Sequence, residues 1–307
     1  MVERTSFIKL AWSVTAGISP ALLKNMVFVS FRVRVLCFLI FFLVCSQSAR
    51  AVLVDKAELD GNLHFEVVGD SVDSFVIERS DLYNKGVHTE PIFIPYIDAT
   101  LDCTVLPLRA LLADYPKMDT IMAYCYDGYV SYYPMDFVEQ YEPYIVLDIE
   151  GVEQGSLKLE GEGAPDMGPF YITFAKPLKQ GSPEMPDPDN KRPYGVYKLA
   201  VGSQEDLVGL MFQGAFAELS ESAASGRQLW LNNCMSCHTW GQGGPGGDLS
   251  NRTSQILSIH AKYNKQYFHD FIKDPHVTMP DAKMPKHPHY DDETIENIRQ
   301  FLLQVPD

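Results

Sequence analysis

The sequence predicts two domains of different class, a β-rich α+β domain at residues 52–218 and an all-α domain at residues 219–307. A chain of 307 residues has room for about two domains. The first region alternates apolar and polar residues with a period of two, whereas the last region has helical periodicity around a Cys-x-x-Cys-His motif. A Ser/Ala-rich stretch at residues 220–225 marks the boundary between them.

Residues 1–51 have the features of an N-terminal extension followed by a secretory signal peptide. Two arginines supply its positive end, residues 35–44 form its apolar core, and a small-x-small cleavage site ends at Ala51. Because the signal begins at Met26, we expect translation to start there. The apolar core is too short for a stable membrane span. The sequence therefore predicts cleavage near Ala51 and export to the periplasm, with an uncleaved anchor as the alternative.

The front domain reads as short strands with few helices. Apolar spacing predicts strands at residues 63–67, 143–149, 168–174 and 194–201, a hairpin at 121–133 around Asp127-Gly128, and helices at 105–115 and 206–219.

Four pieces of this domain follow one another in a recognisable order: Leu106-Pro107-Leu108 with Leu111-Leu112, then Asp127-Gly128-Tyr129, the apolar segment 144–148, and Gly168-Pro169. This order resembles the molybdopterin-binding fold of the sulfite oxidases. Active members of that family bind molybdenum through a cysteine upstream of the leucine-rich helix, within an arginine-containing signature. Here Thr104 and Val105 follow Cys103, and Cys125 lies beyond the helix. The resemblance therefore implies a sulfite-oxidase-like fold without molybdenum or molybdopterin.

Cys103 and Cys125 are the two cysteines of this domain. An oxidising compartment permits disulfides, so we expect these two residues to pair. The alternative is two buried, unpaired thiols.

The motif that carries chemistry is Cys234-Met235-Ser236-Cys237-His238. This spacing is that of c-type haem attachment, in which Cys234 and Cys237 add to the porphyrin and His238 becomes the proximal iron ligand. A zinc site needs further cysteine or histidine at matching spacing, and no later cysteine exists. A thioredoxin-like pair needs a βαβ context, which this region lacks.

The surrounding residues resemble a class I cytochrome c. Gly226 and Trp230 match that family's first helix, residues 241–249 form a Gly/Pro-rich loop, and Met284-Pro285 precedes a final helix. The resemblance implies that the carbonyl of Pro245 accepts a hydrogen bond from the His238 ring and that Met284 is the distal iron ligand. Ser222 is positioned to cap the first helix.

Other distal ligands stay open. Met279-Pro280 is a second Met-Pro pair, and a histidine in place of methionine would give a bis-histidine haem of lower potential. The histidines in range are His260, His269, His276, His287 and His289.

The chain is acidic, with a formal net charge of −15, which disfavours nucleic acid as a partner. The charge is concentrated in residues 52–218, which carry 29 acidic against 11 basic side chains, a net of −18. We expect a periplasmic monohaem electron carrier rather than an enzyme, with redox partner proteins and a front domain used for docking. The alternatives are the haem subunit of a sulfite-dehydrogenase-like oxidoreductase and a haem-based ligand sensor.

Overall fold

The computed structural model describes residues 53–94, 98–150, 152–153, 167–174 and 191–306. The predicted signal peptide and the start at Met26 lie outside these residues. Among the described helices, none has the length and hydropathy needed to span a membrane. The described residues belong to a single compact unit.

Strands occupy the front region and helices the end, as the sequence predicts. The strands are β1 (Leu63–Val68), β2 (Val72–Ile77), β3 (His88–Ile94), β4 (Ala99–Pro107), β5 (Thr120–Cys125), β6 (Val130–Pro134), β7 (Tyr144–Ile149), β8 (Val152–Glu153), β9 (Phe170–Thr173) and β10 (Tyr194–Gly202). The helices are α1 (Arg79–Leu82), α2 (Met135–Tyr141), α3 (Gln204–Val208), α4 (Glu221–Asn232), α5 (Ser254–Tyr263), α6 (Lys265–Lys273), α7 (Pro275–Thr278) and α8 (Asp292–Leu302).

The described strands form one mixed sheet in the order β2-β1-β10-β9-β7-β4-β3, with β5 paired to β10 and β6, and β8 paired to β7. Strands β1 and β10 run parallel, and the other pairs are antiparallel. A register shift between Val196 and Lys198 lets β10 pair with β9 at its start and with β1 and β5 further on.

The strand predictions and the hairpin prediction are confirmed by β1, β5, β6, β7, β9 and β10. Gly128 of the hairpin turn has a φ of 92°, a conformation that favours glycine.

Both helix predictions for this domain are too long. At residues 105–115 the leucines belong to strand β4 and then to one 3₁₀ turn, Leu108–Leu112, because pairing of β4 with β7 holds the backbone extended as far as Pro107. At residues 206–219 the α-helix ends at Val208, and Gly209 and Gly214 begin separate 3₁₀ turns.

The β5–β6 hairpin is buried on both faces. Ile121, Ala123 and Cys125 pack into the core of the sheet domain, whereas Met122 and Tyr124 pack into a second core shared with the helices. We call this second cluster the interdomain core; it contains Met122, Tyr124, Val130, Tyr132, Ala200, Leu207, Val208, Met211, Phe216, Leu229, Trp230, Leu231, Met235, Trp240, Ala261, Phe268, Ile272, Tyr290, Ile295, Ile298, Phe301, Leu302 and Val305. The two regions are therefore packed against each other through a continuous apolar interface.

The predicted disulfide is wrong. Cys103 and Cys125 are both free, buried thiols, and they pack into different hydrophobic clusters on different strands. The alternative of two unpaired thiols describes this structure.

The predicted cap of the first helix is also wrong, by two residues. Ser220 caps α4 by accepting a hydrogen bond from the N–H of Ala223 at 3.3 Å. Ser222 instead donates to the Oδ1 atom of Asn297 on α8, at 2.5 Å. The Ser/Ala stretch that predicted a boundary is thus the first turn of a helix.

Candidate functional site

The Cys-x-x-Cys-His motif forms one tight turn after α4. Residues Cys234–Ser236 make a 3₁₀ turn, and the backbone N–H groups of Cys237 and His238 both donate to the carbonyl of Cys234, at 3.2 and 3.0 Å. We call residues 234–238 the attachment turn. Cys234, Cys237 and His238 are half-buried, whereas Met235 and Ser236 between them are fully buried. The three residues that the motif assigns to haem are thus the ones that stay accessible.

The thiols of the attachment turn are unpaired. Desolvation by apolar neighbours raises the pKa of Cys234 to about 12 and that of Cys237 to about 11. A disulfide oxidoreductase needs the opposite, a cysteine with a lowered pKa. Within the described part of the chain, no group of three or more His, Cys, Asp or Glu side chains could hold a metal ion. These observations therefore disfavour both a thioredoxin-like redox pair and a zinc site at this motif.

The ring of His238 is held by a backbone carbonyl. Its Nδ1 lies 2.7 Å from the carbonyl oxygen of Arg252, and since a carbonyl only accepts, Nδ1 carries the proton. The other nitrogen, Nε2, is then the one with a free lone pair for iron. Burial lowers the pKa of His238, so the ring is neutral, as a metal ligand must be.

This bond corrects the prediction for Pro245. The carbonyl of Pro245 accepts from the N–H of Trp240 at 2.8 Å, inside the glycine-rich loop. Arg252 follows that loop and leads into α5. Its guanidinium lies 3.2 Å from the Nε2 of His260. A backbone carbonyl leaves no trace in the sequence, so only the three-dimensional structure identifies Arg252 as the partner.

Helix α4 crosses α8 in close contact beside the attachment turn. A Cβ atom built on Gly226 would lie 1.9 Å from the carbonyl oxygen of Asn297, so only glycine fits at this crossing. Trp230 follows one turn later. Its ring lies 6.2 Å from that of His238 and 5.6 Å from that of Trp240.

The indole N–H of Trp230 is buried and has no hydrogen-bond acceptor among the described residues. A buried donor normally has a partner, so this orphan fits a site that receives a polar group absent from the chain itself. Two thiols three residues apart, a neutral imidazole beside them and this buried indole N–H are together compatible with a covalently attached haem.

The two methionine candidates differ in their surroundings. Met284 is partly buried and packs against the interdomain core. Met279 is 44% exposed.

The histidine candidates have other contacts. His269 lies 3.0 Å from Asp270 and 3.1 Å from Asp292, and His276 lies 3.5 Å from Asp274. His260 contacts Arg252, as described. His287 is buried and stacks on Tyr290 with ring centroids 4.9 Å apart, and His289 packs against the same tyrosine at 4.7 Å.

The predicted final helix is confirmed. Asp291 caps α8 by accepting from the N–H of Thr294 at 2.8 Å, and Ile295, Ile298 and Leu302 face the interdomain core.

Residues 223–306 match the family model for cytochrome c. The match covers the helical region and leaves the β-rich region outside it. The chain thus ends in a c-type cytochrome domain, a class that transfers electrons through haem and exchanges them with redox partner proteins. A cytochrome c domain implies covalently bound haem c, and the attachment turn supplies the residues for it. No match was found among curated proteins.

Proposed function

We propose that this protein is an exported one-electron carrier whose haem c is bound through Cys234 and Cys237 and ligated by His238 and Met284. The observation that carries the proposal is the His238–Arg252 hydrogen bond. It holds the proton on Nδ1 and leaves Nε2 of the neutral ring with a lone pair for iron, next in sequence to two unpaired thiols. When bound, haem c supplies reversible one-electron chemistry.

Expression of the chain with haem-attachment machinery tests this proposal. We expect a product that keeps its Soret absorption after denaturation in acid acetone, because thioether bonds survive that treatment. Cys234→Ala together with Cys237→Ala should give a chain from which all haem is extracted. Haem that is extracted from the unmodified chain would refute covalent attachment.

The choice of Met284 as the distal ligand is supported by its packing against the core that contains Trp230, and by the exposure of Met279. Met284→Ala should abolish the weak far-red absorption band that a methionine ligand gives to ferric haem, and Met279→Ala is the matched control. Loss of the band in Met279→Ala alone would reverse the assignment. Absence of the band in the unmodified chain would favour bis-histidine ligation or the open distal site of a ligand sensor.

The periplasmic location rests on residues 26–51, which have the composition of a cleaved signal peptide. Covalent haem attachment supports it, because c-type haem is attached outside the bacterial cytoplasm. N-terminal sequencing of the mature holoprotein should begin at Val52. Recovery of peptides from residues 1–25 in the precursor would contradict a start at Met26.

For the β-rich domain we propose the sulfite-oxidase-like fold without molybdenum, and a role in docking. Cys103 is fully buried, its thiol lies 3.6 Å from the carbonyl of Leu101, and burial raises its pKa to about 12. The described residues enclose this sulfur, which supports a domain that does not present Cys103 to a molybdenum cofactor. Metal analysis of the holoprotein should give iron and no molybdenum; about one molybdenum for each haem would favour the sulfite-dehydrogenase-like alternative.

Docking is supported by the charge of the domain. A net of −18 over residues 52–218 attracts a basic partner at long range and gives a rate of association that falls with ionic strength. We expect a pull-down from periplasm to recover a basic redox protein that salt releases. Binding that persists unchanged in high salt would contradict an electrostatic docking role.

A further inference from the structure

Strand β2 forms an open edge of the sheet. Among the described residues, β1 is the only strand hydrogen-bonded to it, and every residue of β2 except the half-buried Ile77 is exposed. Three of the exposed side chains are large and apolar, since Val72 is 55%, Phe75 42% and Val76 45% exposed. An exposed apolar edge strand is a template for pairing with another extended chain. The edge of β2 therefore has the backbone and the side chains to accept an added strand.

A cavity of about 520 Å³ opens beside this edge. Its lining includes the buried Phe65, whose ring lies 5.4 Å from that of Phe75 and 5.8 Å from that of Tyr115, and it includes Ile77 and Leu111. Phe75 thus belongs to both the exposed edge and the cavity. When an extended segment adds to a sheet, main-chain hydrogen bonds give affinity and pockets beside the edge take its alternate side chains. The cavity has the position and the apolar lining for one large side chain of an added strand.

The charges around the edge are mostly negative. Four exposed acidic side chains lie within residues 69–85: Asp70, Asp73, Glu78 and Asp81. Lys85 is the only exposed basic side chain in that range, because Arg79 is half-buried and its guanidinium donates to the carbonyl of Leu147 at 2.8 Å. Asp114 adds a further exposed carboxylate at the cavity. This arrangement attracts a basic segment and repels an acidic one.

We propose that the open edge of β2 is the docking site of the β-rich domain, where a redox partner adds an extended segment in which apolar residues alternate with lysine or arginine. The backbone of the segment pairs with β2, one large apolar side chain enters the cavity, and the cations meet the surrounding carboxylates. A second copy of this chain is disfavoured, because a two-fold contact brings the same patch of both copies together and so opposes like charges. The proposal rests on the docking role proposed above and gives that role a location.

The edge lies away from the haem-attachment region. The strands follow one another as β2-β1-β10-β5-β6, and the β5–β6 hairpin at the other end of this series packs against the cytochrome helices. Neighbouring strands lie about 4.8 Å apart, so three steps place β2 about 14 Å from β5. A segment bound at β2 therefore does not cover the attachment turn.

The experiment titrates a dye-labelled peptide, Lys-Val-Lys-Phe-Lys-Val-Lys, with the full-length holoprotein and measures its Kd by fluorescence anisotropy. Phe75→Ser removes the aromatic residue shared by the edge and the cavity, and it should raise the Kd about tenfold. Phe93→Ser is the matched control and should leave the Kd unchanged. Phe93 is also an exposed aromatic residue, 48% exposed, but it lies on β3 at the opposite end of the strand order.

Two charge variants separate this site from attraction by the whole acidic domain. Asp73→Asn and Glu90→Gln each remove one negative charge, but Asp73 lies on β2 and Glu90 on β3. Asp73→Asn should raise the Kd about threefold, and Glu90→Gln should leave it unchanged. Equal weakening by both variants would overturn the β2 site and leave an unlocalised electrostatic docking role. Failure of the peptide to bind the unmodified protein would also overturn the β2 site, whereas the salt-dependent pull-down still decides the docking role.

Hydrogen exchange covers the case in which Phe75→Ser does not fold. In the unmodified holoprotein, bound peptide should slow exchange at the amides of β2 several-fold and leave those of β3 unchanged. Protection of both edge strands, or of neither, would overturn strand addition at β2. Sedimentation of the holoprotein alone tests the second copy as occupant. A dimer that Phe75→Ser dissociates would show that this chain itself covers the edge, and the proposal would be wrong.

Discussion

Replacing Lys191 by methionine should stabilise the protein, with an effect that depends on pH. Lys191 is only 1% exposed, and its ammonium lies 5.5 Å from the ring centroids of Tyr132, Tyr133 and Phe137. Its ammonium donates a hydrogen bond to the carbonyl of Tyr132. Burial lowers the pKa of Lys191 from 10.5 to about 7, an effect that Asp136 opposes.

The size of the effect follows from this pKa. Between pH 7 and 10.5 the unfolded chain binds a proton at Lys191 that the folded chain does not, so this residue makes the free energy of unfolding rise with pH across that window. At about 1.4 kcal/mol for each pH unit, the difference between a pKa of 10.5 and one of about 7 lowers the free energy of unfolding by about 5 kcal/mol below pH 7. Loss of the hydrogen bond to Tyr132 offsets about 1 kcal/mol. Lys191→Met should therefore raise the free energy of unfolding by about 4 kcal/mol at pH 6 and lower it by about 1 kcal/mol at pH 10.5.

Urea unfolding of both proteins at a series of pH values, followed by far-UV circular dichroism, measures the difference. Other groups titrate in both proteins, so subtraction isolates Lys191. The exposed Lys117 is the control, because Lys117→Met should change the free energy of unfolding by less than about 0.5 kcal/mol at every pH. A difference for Lys191→Met that stays constant from pH 6 to 10.5 would show that the buried amine keeps an ordinary pKa.

Three further predictions concern the helices and the interdomain core. Gly226→Ala should destabilise the cytochrome domain by about 3 kcal/mol, because the new methyl group would lie 1.9 Å from the carbonyl oxygen of Asn297, and this clash outweighs the better helix propensity of alanine. Thermal unfolding followed at the Soret band measures the effect, and a rise in Tm would contradict the prediction. Ser220→Ala should lower the free energy of unfolding by about 1 kcal/mol, because the α4 cap is lost. Ser225 is exposed, so Ser225→Ala should be neutral or slightly stabilising when both variants are unfolded in urea. Equal effects of the two substitutions would argue against the cap. Sheet and helices should melt together, so unfolding curves from far-UV dichroism and from the Soret band should coincide; two separate transitions would show that the interdomain core does not couple the domains.

The chemistry of the site was predictable because it is local in sequence. Attachment of haem requires two thiols three residues apart and an adjacent imidazole, and residues 234–238 fold into a turn that presents all three. Helix α8 was predictable for a similar reason, since Asp291 at its start and apolar residues at helical spacing both act within a few turns of chain.

Contacts made by backbone atoms could not be predicted in the same way. The carbonyl that holds His238 belongs to Arg252, and any residue could provide it. The resemblance pointed to Pro245, but Trp240 already uses that carbonyl to close the loop. The disulfide prediction was wrong for a different reason. A shared oxidising compartment permits a bond between Cys103 and Cys125, but the sheet places the two residues in different hydrophobic clusters.

The sequence contains one indication of the interdomain core, an apolar strand whose second covering layer periodicity alone does not identify. Residues 120–125 do not alternate between apolar and polar types, and an uninterrupted apolar strand is typical of a sheet covered on both faces. The sequence therefore indicates that a second layer covers the β5–β6 hairpin, but it does not show which elements form that layer. The structure identifies that layer as the cytochrome helices, with Met122 and Tyr124 packed in the same cluster as Trp230 and Met235. The hairpin thus lies between its own sheet and the cytochrome helices, and it is joined to the attachment region by packed side chains and by the hydrogen bond from the N–H of Asp248 to the carbonyl of Gly128 at 2.9 Å.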